Sequence, residues 1–460
     1  MTASSALFLL DALLVALFWP LTAWLSMNGV PPEAWVPQAV ILVISNLAFL
    51  YALGLYRRDA IIDTGKSLGR IPVTVAISII VSSLVIGVLS KILSLELVGP
   101  QLGRIFAAAM GCFTICALIA RIIFRVLRRH PMFHTRLLVI GAGARAWDLL
   151  WILRSQGRNL HYDVTFVHDE SFGPVDSRLS SDPAIHIVPY SGKLIDIADR
   201  FRSDEIVVAP DERRGMALEA LITCKTAGYP VLQYMSFLEN EVRRIDIKRL
   251  DLTWLLFSEG FYSRPIDRVV KRGLDITLSL FILVLTFPFL LIAMLLIWLG
   301  DRGSVFYRQK RVTLEGRTFQ ILKLRTMRMN AESGGAVWAA TNDNRIARVG
   351  SFLRQSRLDE LPQLFNVLSG DMSLVGPRPE RPEFVAELTT QLPLYQERHA
   401  VKAGLTGWAQ VNYPYGASLD DARSKLSYDL YYVKNCNPVF DLLILIQTLR
   451  VVIWPGSGAR

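Results

Sequence analysis

Two adjacent carboxylates, Asp359 and Glu360, stand between arginines and a proline in Arg354-Gln-Ser-Arg357-Leu-Asp359-Glu360-Leu-Pro362-Gln363. Arg354 and Arg357 offer planar guanidinium forks that match phosphate oxygens, which a lysine would meet only as a point charge. A second stretch, Gly370-Asp371-Met-Ser-Leu-Val-Gly376-Pro-Arg378-Pro-Glu380, sets Arg378 between two prolines. Upstream, Lys323 and Arg325 follow the strand-like alternation of Phe319-Gln-Ile-Leu. Brought together, these groups would hold an anion around an acidic pair. On charge pattern alone a surface helix laced with ion pairs is the stronger account of the first stretch, and the Lys323 segment reads as an ordinary basic edge strand.

The elements that would position these residues begin in a membrane. With 460 residues, 52% of them hydrophobic, and a mean hydropathy of +0.35, the chain is too apolar for an ordinary soluble enzyme and long enough for two or three domains. Four segments, roughly Leu7 to Leu25, Trp35 to Tyr56, Ile71 to Leu93 and Leu102 to Val126, carry enough apolar residues to cross a hydrocarbon layer of about 30 Å. Arg57, Arg58, Lys66 and Arg70 follow the second, and Arg121, Arg125, Arg128 and Arg129 end the fourth, which places both regions in the cytosol. The net charge of +10 says little alone, nucleic acid is not expected as a partner, and four scattered cysteines suggest neither disulfides nor a metal cluster. The N-terminus lacks a basic start and a cleavage site, so its apolar stretch is expected to be retained.

From Thr135 to about Ser258 strands alternate with amphipathic stretches, the pattern of an α/β domain. A strand at Arg136 to Ile140 runs into Gly141-Ala-Gly143-Ala-Arg-Ala146, a helix from Trp147 to Gln156 and a strand from Tyr162 to Val167, a Rossmann-type beginning. Glu205 to Ala209 reads as a later buried strand. An apolar run from Leu274 to Leu299 follows, with Arg264, Arg268, Lys271 and Arg272 before it and Arg302, Arg308, Lys310, Arg311 and Arg317 after it. Crossing would put one basic cluster on the outer side. A helix broken near Pro288, entering and leaving on the cytosolic face, keeps both inside. The expected domains are therefore 1–130, a transmembrane bundle; 131–263, a Rossmann-like α/β domain; and 264–460, an α/β catalytic domain with a re-entrant helix at 274–299. The last ends in an amphipathic stretch, Phe440 to Trp454, suited to a membrane surface.

Six motifs in order, Lys271-Arg-Gly-Leu-Asp275, Phe306-Tyr-Arg-Gln309-Lys-Arg311, Lys323-Leu-Arg-Thr-Met327, Leu358-Asp-Glu-Leu-Pro-Gln363, Asp371-Met-Ser-Leu-Val-Gly-Pro-Arg-Pro379 and Gly404-Leu-Thr-Gly-Trp-Ala-Gln410, resemble the bacterial sugar transferase family of polyprenyl-phosphate phosphoglycosyl transferases. The resemblance covers roughly Arg264 to Val452, and the preceding bundle and α/β domain resemble its long form, which starts exopolysaccharide or O-antigen repeat units. It implies transfer of sugar-1-phosphate from a UDP-sugar to undecaprenyl phosphate at the bacterial inner membrane, with the catalytic domain in the cytosol. It further implies Asp359 as nucleophile, Glu360 beside it helping to bind Mg²⁺, and Arg378 contacting the nucleotide diphosphate; Lys323, Arg325, Arg354 and Arg357 are further phosphate-binding candidates by their charge. Ser304 and Thr313 depart from the family's usual proline and glycine, which puts the local turn after the membrane helix in question.

A carboxylate that ionises near pH 4 needs no base before it attacks phosphorus. Two rivals stand beside this reading. The Gly141-x-Gly143-x-x-Ala146 turn, with Asp169 placed to meet a ribose, would suit a membrane-anchored nucleotide-sugar dehydratase or epimerase, although no Tyr-x-x-x-Lys pair occurs. A non-enzymatic scaffold for polysaccharide assembly is the other. Transport is disfavoured because the four N-terminal segments read as nearly free of buried charge. His161 and His399 are isolated and given no role; Trp408, Tyr413 and Tyr415 could stack on a base or simply pack. A homodimer is plausible from the size of the accessory parts.

Overall fold

The computed structural model describes residues 3–31, 33, 35–56, 64–92, 102–127, 134–155, 162–212, 218–250, 252–261, 264–327, 347–413, 416 and 418–453. Arg57, Arg58, Arg128, Arg129, His161, Tyr415 and Trp454 lie outside them. The chain divides into two compact units, Met1–Phe237 and Leu238–Arg460.

The first unit opens with four helices, α1 (Ala3–Ser26), α2 (Val36–Ala52), α3 (Thr64–Ile92) and α4 (Leu102–Leu127). Their shared core gathers Leu7, Trp19, Leu42, Ile71 and Phe113, and Trp19 Nε1 donates to the Ala39 carbonyl at 3.2 Å. Leu13, Leu17 and Leu21 of α1 stay exposed at four-residue spacing, an outward apolar stripe that suits lipid. Three of these helices are long and apolar enough to cross a membrane, Ser5–Ser26, Leu68–Lys91 and Leu102–Leu127, whereas Val36–Ala52 is a shorter apolar helix. Buried charge, expected to be nearly absent from these segments, does occur: Asp11 and Arg121 form an ion pair at 2.5 Å, both almost fully buried, and the guanidinium lies over the Tyr56 ring. Two charges 110 residues apart in sequence neutralise each other where hydrocarbon would penalise either alone.

A five-stranded sheet follows, with β1 (Thr135–Ile140), β2 (Tyr162–His168), β3 (His186–Pro189), β4 (Glu205–Val208) and β5 (Val231–Gln233) in the order β3-β2-β1-β4-β5. Every pair is parallel, with Leu137 opposite Val164 and Glu205. The central strand β1 is buried from Leu137 to Ile140, as a strand covered on both faces must be.

In the second unit the long apolar run forms one helix of 37 residues, α5 (Pro265–Asp301), and it is the fourth element long and apolar enough to cross a membrane. Pro288 lies inside it. The expected break is therefore not a gap between two helices, and any change of direction there is a bend within one. A proline removes only one backbone donor, and apolar surroundings leave the flanking peptide groups no better partners than helical ones. Leu283, before Pro288, and Leu290, Ala293 and Ile297, after it, join one core with Leu364, Met372, Trp408 and Ile444. The opposite side, including Phe281, Val284, Leu285 and Phe289, is exposed.

The base of α5 is fastened by its charges. Lys271 Nζ donates to Asp441 at 2.6 Å and to the Val375 carbonyl at 3.0 Å, and Arg272 reaches the Val367 and Leu368 carbonyls at 2.6 and 2.8 Å. An antiparallel hairpin, β6 (Phe306–Val312) and β7 (Thr318–Leu324), then packs against this core. Thr313, where the family usually has glycine, sits in extended backbone at φ −131°. Its hydroxyl donates to the Asp371 carbonyl at 2.9 Å and accepts from the Ala403 amide at 3.2 Å, so no glycine geometry is needed there. The unit also includes residues ahead of α5: Lys434 Nζ pairs with Glu239 at 2.7 Å, and Trp408 Nε1 donates to the Arg243 carbonyl at 2.8 Å.

Candidate active site

The acidic pair is set by a reversal of the chain. Helix α6 (Arg348–Gln355) ends, Arg357 takes a left-handed conformation at φ 59°, a single 3-10 turn spans Leu358–Glu360, and Pro362 leads into α7 (Gln363–Ser369). A non-glycine residue in that region is strained and marks a place worth functional scrutiny. Helix α6 lies close on the end of β7, because a Cβ at Gly350 would stand 2.0 Å from the Thr326 carbonyl oxygen. That contact lets Arg354 Nε donate to Thr326 Oγ1 at 2.9 Å. On the other side Asn366 spans α7 and β7, accepting from the Leu322 amide and donating to the Gln320 carbonyl.

This framework brings Lys323 to Glu360. Lys323 Nζ and Arg378 Nη2 both reach Glu360 Oε1 at 3.0 Å, while Arg357 Nη1 lies 3.6 Å from Oε2. Burial would raise the Glu360 pKa, but Lys323, Arg378 and Arg357 together overcome it and hold the carboxyl far below its usual range. Asp359 is only 8% exposed. Burial first, and the neighbouring Glu360 second, push it up to about 6 against the pull of Lys323, Arg354 and Arg357. The two carboxyl groups are thus driven apart: one is fixed as an anion inside a cation cluster, while the other makes no direct ion pair among the described residues. Divergent pKa values in a paired site usually mean divergent roles.

The Pro377–Pro379 segment is held from both sides. Arg311 Nη1 donates to the Pro379 carbonyl at 3.0 Å and lies 3.5 Å from Glu380, while Arg398 Nη2 donates to the Arg378 carbonyl at 2.9 Å and pairs with buried Asp429 at 2.8 Å. A small cavity is lined by Arg311, Ile321, Lys323, Gln363, Arg378, Pro379 and Gly404. Of the expected phosphate-binding residues, Lys323 and Arg378 line it, Arg357 faces Glu360, and Arg354 is bonded to Thr326. Arg325 lies beyond the end of β7, its amide donating to the Val305 carbonyl, and does not line the cavity. Pro288 lies within α5. Arg311 and Gln363 were quoted in motifs but given no part; their signal was membership of the same six segments.

Among the described residues no three carboxylate, histidine or cysteine side chains cluster as a metal site. A magnesium ion usually takes one or two protein carboxylates and completes its shell with substrate phosphates and water, and the Asp359–Glu360 pair can supply that much.

The glycine turn of the first unit has a different occupant from the one expected. Asp211 places its carboxylate at the start of the helix Ala144–Ser155, accepting from the Ala144 amide at 2.6 Å and the Arg145 amide at 3.0 Å. A Cβ at Gly143 would crowd Asp211 Oδ2, so the turn is occupied by an internal anion in the position a pyrophosphate takes in dinucleotide sites. Asp169 is likewise engaged, accepting from the Ser171 amide and hydroxyl.

An acidic pair inside a cluster of cations thus sits on a unit that carries a helix long and apolar enough to cross a membrane. The sequence profile of the bacterial sugar transferase family matches residues 266–455. A UDP-N-acetylgalactosamine-undecaprenyl-phosphate N-acetylgalactosaminephosphotransferase of Aeromonas hydrophila is 38% identical over 286 residues, 62% of this chain and 64% of that protein. The match thus spans just under two thirds of that relative's length. A UDP-glucose:undecaprenyl-phosphate glucose-1-phosphate transferase of Klebsiella pneumoniae is 30% identical over 356 residues, 75% of this chain and 73% of the relative. A putative undecaprenyl-phosphate N-acetylgalactosaminyl 1-phosphate transferase of Bacillus subtilis is 46% identical over 129 residues, 28% and 72% respectively. The chain belongs to the bacterial sugar transferase family.

Removing the internal anion offers a direct check on the glycine turn. Asp211→Ala should lower the stability of the sheet domain by about 1 kcal/mol, the usual scale for losing a helix N-terminal acceptor. Added sulfate or phosphate should recover that loss in thermal unfolding of the variant while leaving the wild type unmoved.

Proposed function

We propose that this protein transfers sugar-1-phosphate from a UDP-sugar to undecaprenyl phosphate, releasing UMP, as the first step in building an exopolysaccharide or O-antigen repeat unit. The observation that carries the proposal is the asymmetry of the dyad. Glu360 is committed to Lys323, Arg378 and Arg357, which leaves Asp359 as the carboxylate able to attack.

In the first step an Asp359 oxygen bonds to the phosphorus bearing the sugar. The bond from that phosphorus to the bridging oxygen breaks, and the electron pair leaves on UMP. The resulting acyl phosphate keeps a high-energy bond. In the second step a phosphate oxygen of the lipid carrier attacks the same phosphorus, and the phosphorus–oxygen bond to Asp359 breaks to restore the carboxylate. No proton need move. Lys323 and Arg378 face the diphosphate and take up charge on the leaving UMP, the electrostatic part on which phosphoryl transfer chiefly depends. Mg²⁺ held by substrate phosphates with Glu360 and Asp359 would supply further neutralisation. The relatives' names, each a UDP-sugar or undecaprenyl-phosphate transferase, support the substrate class.

The same proposal gives the parts their places. The bundle and α5 sit in the bacterial inner membrane, with the chemistry in residues 264–460 on the cytosolic face. The sheet, whose strand order is that of a Rossmann fold, is an accessory domain; Asp211 in the glycine turn weighs against a dehydratase or epimerase. Helix α5 re-enters on the side it left, since residues on both sides of Pro288 pack on one core and basic residues flank both ends.

Three outcomes follow. Cysteines placed singly at positions 268 and 308 should both resist an impermeant label applied outside intact cells; labelling of either removes the re-entrant topology. Asp359→Asn should abolish UMP release, and wild-type protein given a UDP-sugar without lipid acceptor should gain one sugar phosphate on the Leu358–Gln363 peptide; near-normal turnover by the variant, or an adduct elsewhere, would reassign the nucleophile. The kcat/KM for UMP release should fall as pH drops through about 6, where Asp359 takes up its proton. Glu360→Gln removes a charge that raises that pKa and should move the acid limb lower, whereas Arg354→Gln removes one that lowers it and should move the limb higher. Shifts of the same sign would show that another group controls it.

A further inference from the structure

A neutral donor at the cavity lacks a partner in the folded protein. Gln363 is 3% exposed and lines the cavity with Arg311, Lys323 and Arg378, yet its Nε2 has no hydrogen-bond partner. Buried side-chain donors are nearly always paired, and an unpaired one calls for a specific reason. A residue of the same shape without the amide would fill this space with no unpaired donor, so packing does not account for it. The surroundings point to an anionic acceptor: three of the side chains around the cavity are cations, and the acidic Glu360 is already shared among Lys323, Arg378 and Arg357.

The chain geometry indicates which oxygen. Leu361 and Pro362 are helical, at φ −58°, ψ −35° and φ −61°, ψ −17°, so Gln363 follows Asp359 by about one turn and the two residues share a face. Resting on the two-step transfer proposed above, we propose that Gln363 is a catalytic residue whose Nε2 donates to a non-bridging oxygen of the phosphoryl group while that group passes to and from Asp359. A neutral donor suits this position. Further positive charge would hold the substrate and the UMP product alike, whereas an oriented N–H acts on the equatorial oxygens that gather charge as the phosphoryl group transfers.

The test uses the full-length protein in detergent or nanodiscs. Gln363→Met keeps the length and removes the donor, and Gln363→Glu keeps the shape and presents an oxygen instead. Release of UMP from the UDP-sugar that the wild type uses should fall about 100-fold in kcat for the methionine variant, the scale for losing one oriented donor, with KM little changed. The glutamate variant should fall further. The unfolding temperature of Gln363→Met should stay level or rise, since an unpaired buried donor is gone, whereas a structural role would lower it and spare kcat. With the two diastereomers of a UDP-sugar carrying sulfur on the sugar-bearing phosphorus, the wild type should prefer one, and Gln363→Met should lose that preference. Wild-type turnover by either variant, or an unchanged preference in Gln363→Met, overturns the assignment. If the methionine variant does not fold, the isosteric glutamate variant decides by the same rate criterion. A wild type that releases no UMP from any UDP-sugar overturns the parent reading as well.

Discussion

Everything about this site depends on one carboxylate being spoken for. Glu360 accepts from Lys323 and Arg378 on a single oxygen and faces Arg357 with the other, so three cations from a strand, a turn and a proline-bracketed loop converge on one point. Without that anion, Lys323 would be buried among arginines; burial already lowers its pKa, and Glu360 is the largest influence opposing the shift. The cluster therefore holds Lys323, Arg357 and Arg378 on Glu360, and Asp359 makes no direct ion pair among the described residues. Removing one member of such a buried group leaves the remaining charges uncompensated, which costs far more than the net worth of the pair.

The loop that delivers Arg378 is held through its backbone as well as through the Arg378–Glu360 pair. Arg311 and Arg398 each donate to a carbonyl of the Arg378–Pro379 segment, and Arg398 is in turn fixed by Asp429, a buried carboxylate whose pKa burial raises despite the arginine beside it. Two prolines limit the segment's freedom in the unfolded chain as well as the folded one. The guanidinium of Arg378 is consequently directed by groups that need not touch substrate. Under the proposed function Lys323 and Arg378 would meet the substrate and Arg398 holds the frame, while Arg311 both lines the cavity and braces Pro379, a difference that composition alone does not show.

The sequence made some of this legible and hid the rest for definite reasons. Asp359, Glu360, Lys323 and Arg378 stood out only through the ordered set of six motifs, since charge pattern alone favoured a surface helix and a basic edge strand, whereas the strands β1, β2, β4 and β7 stood out by their alternation or apolar runs. Gln363 ends one of the six motifs, yet a neutral amide suggests no role by itself; its lack of a partner in three dimensions marks it. Asp211 lies more than sixty residues from the turn it fills, and Asp11 lies 110 from Arg121, so no spacing rule could pair them. Lys271 and Arg272 were read as signals of membrane sidedness, yet they also fasten α5 to the core. Pro288 was weighted as a break, although a helix in apolar surroundings tolerates the loss of one donor.

That fastening links the membrane helix to the chemistry by a short rigid path. Arg272, near the start of α5, binds the Val367 and Leu368 carbonyls at the C-terminal end of α7, where unpaired carbonyls favour a cation. The other end of α7 begins at Gln363, directly after the turn that carries Asp359 and Glu360. At about 1.5 Å per residue, seven residues of helix set the dyad roughly 10 Å from the anchored base of α5. With α5 in a bilayer as proposed, its depth would fix the height of the carboxylates. In the proposed transfer the acceptor phosphate is confined to the headgroup layer and the nucleophile must be held at that height, which a short helix anchored at its C-terminal end by Arg272 does more firmly than a loop would.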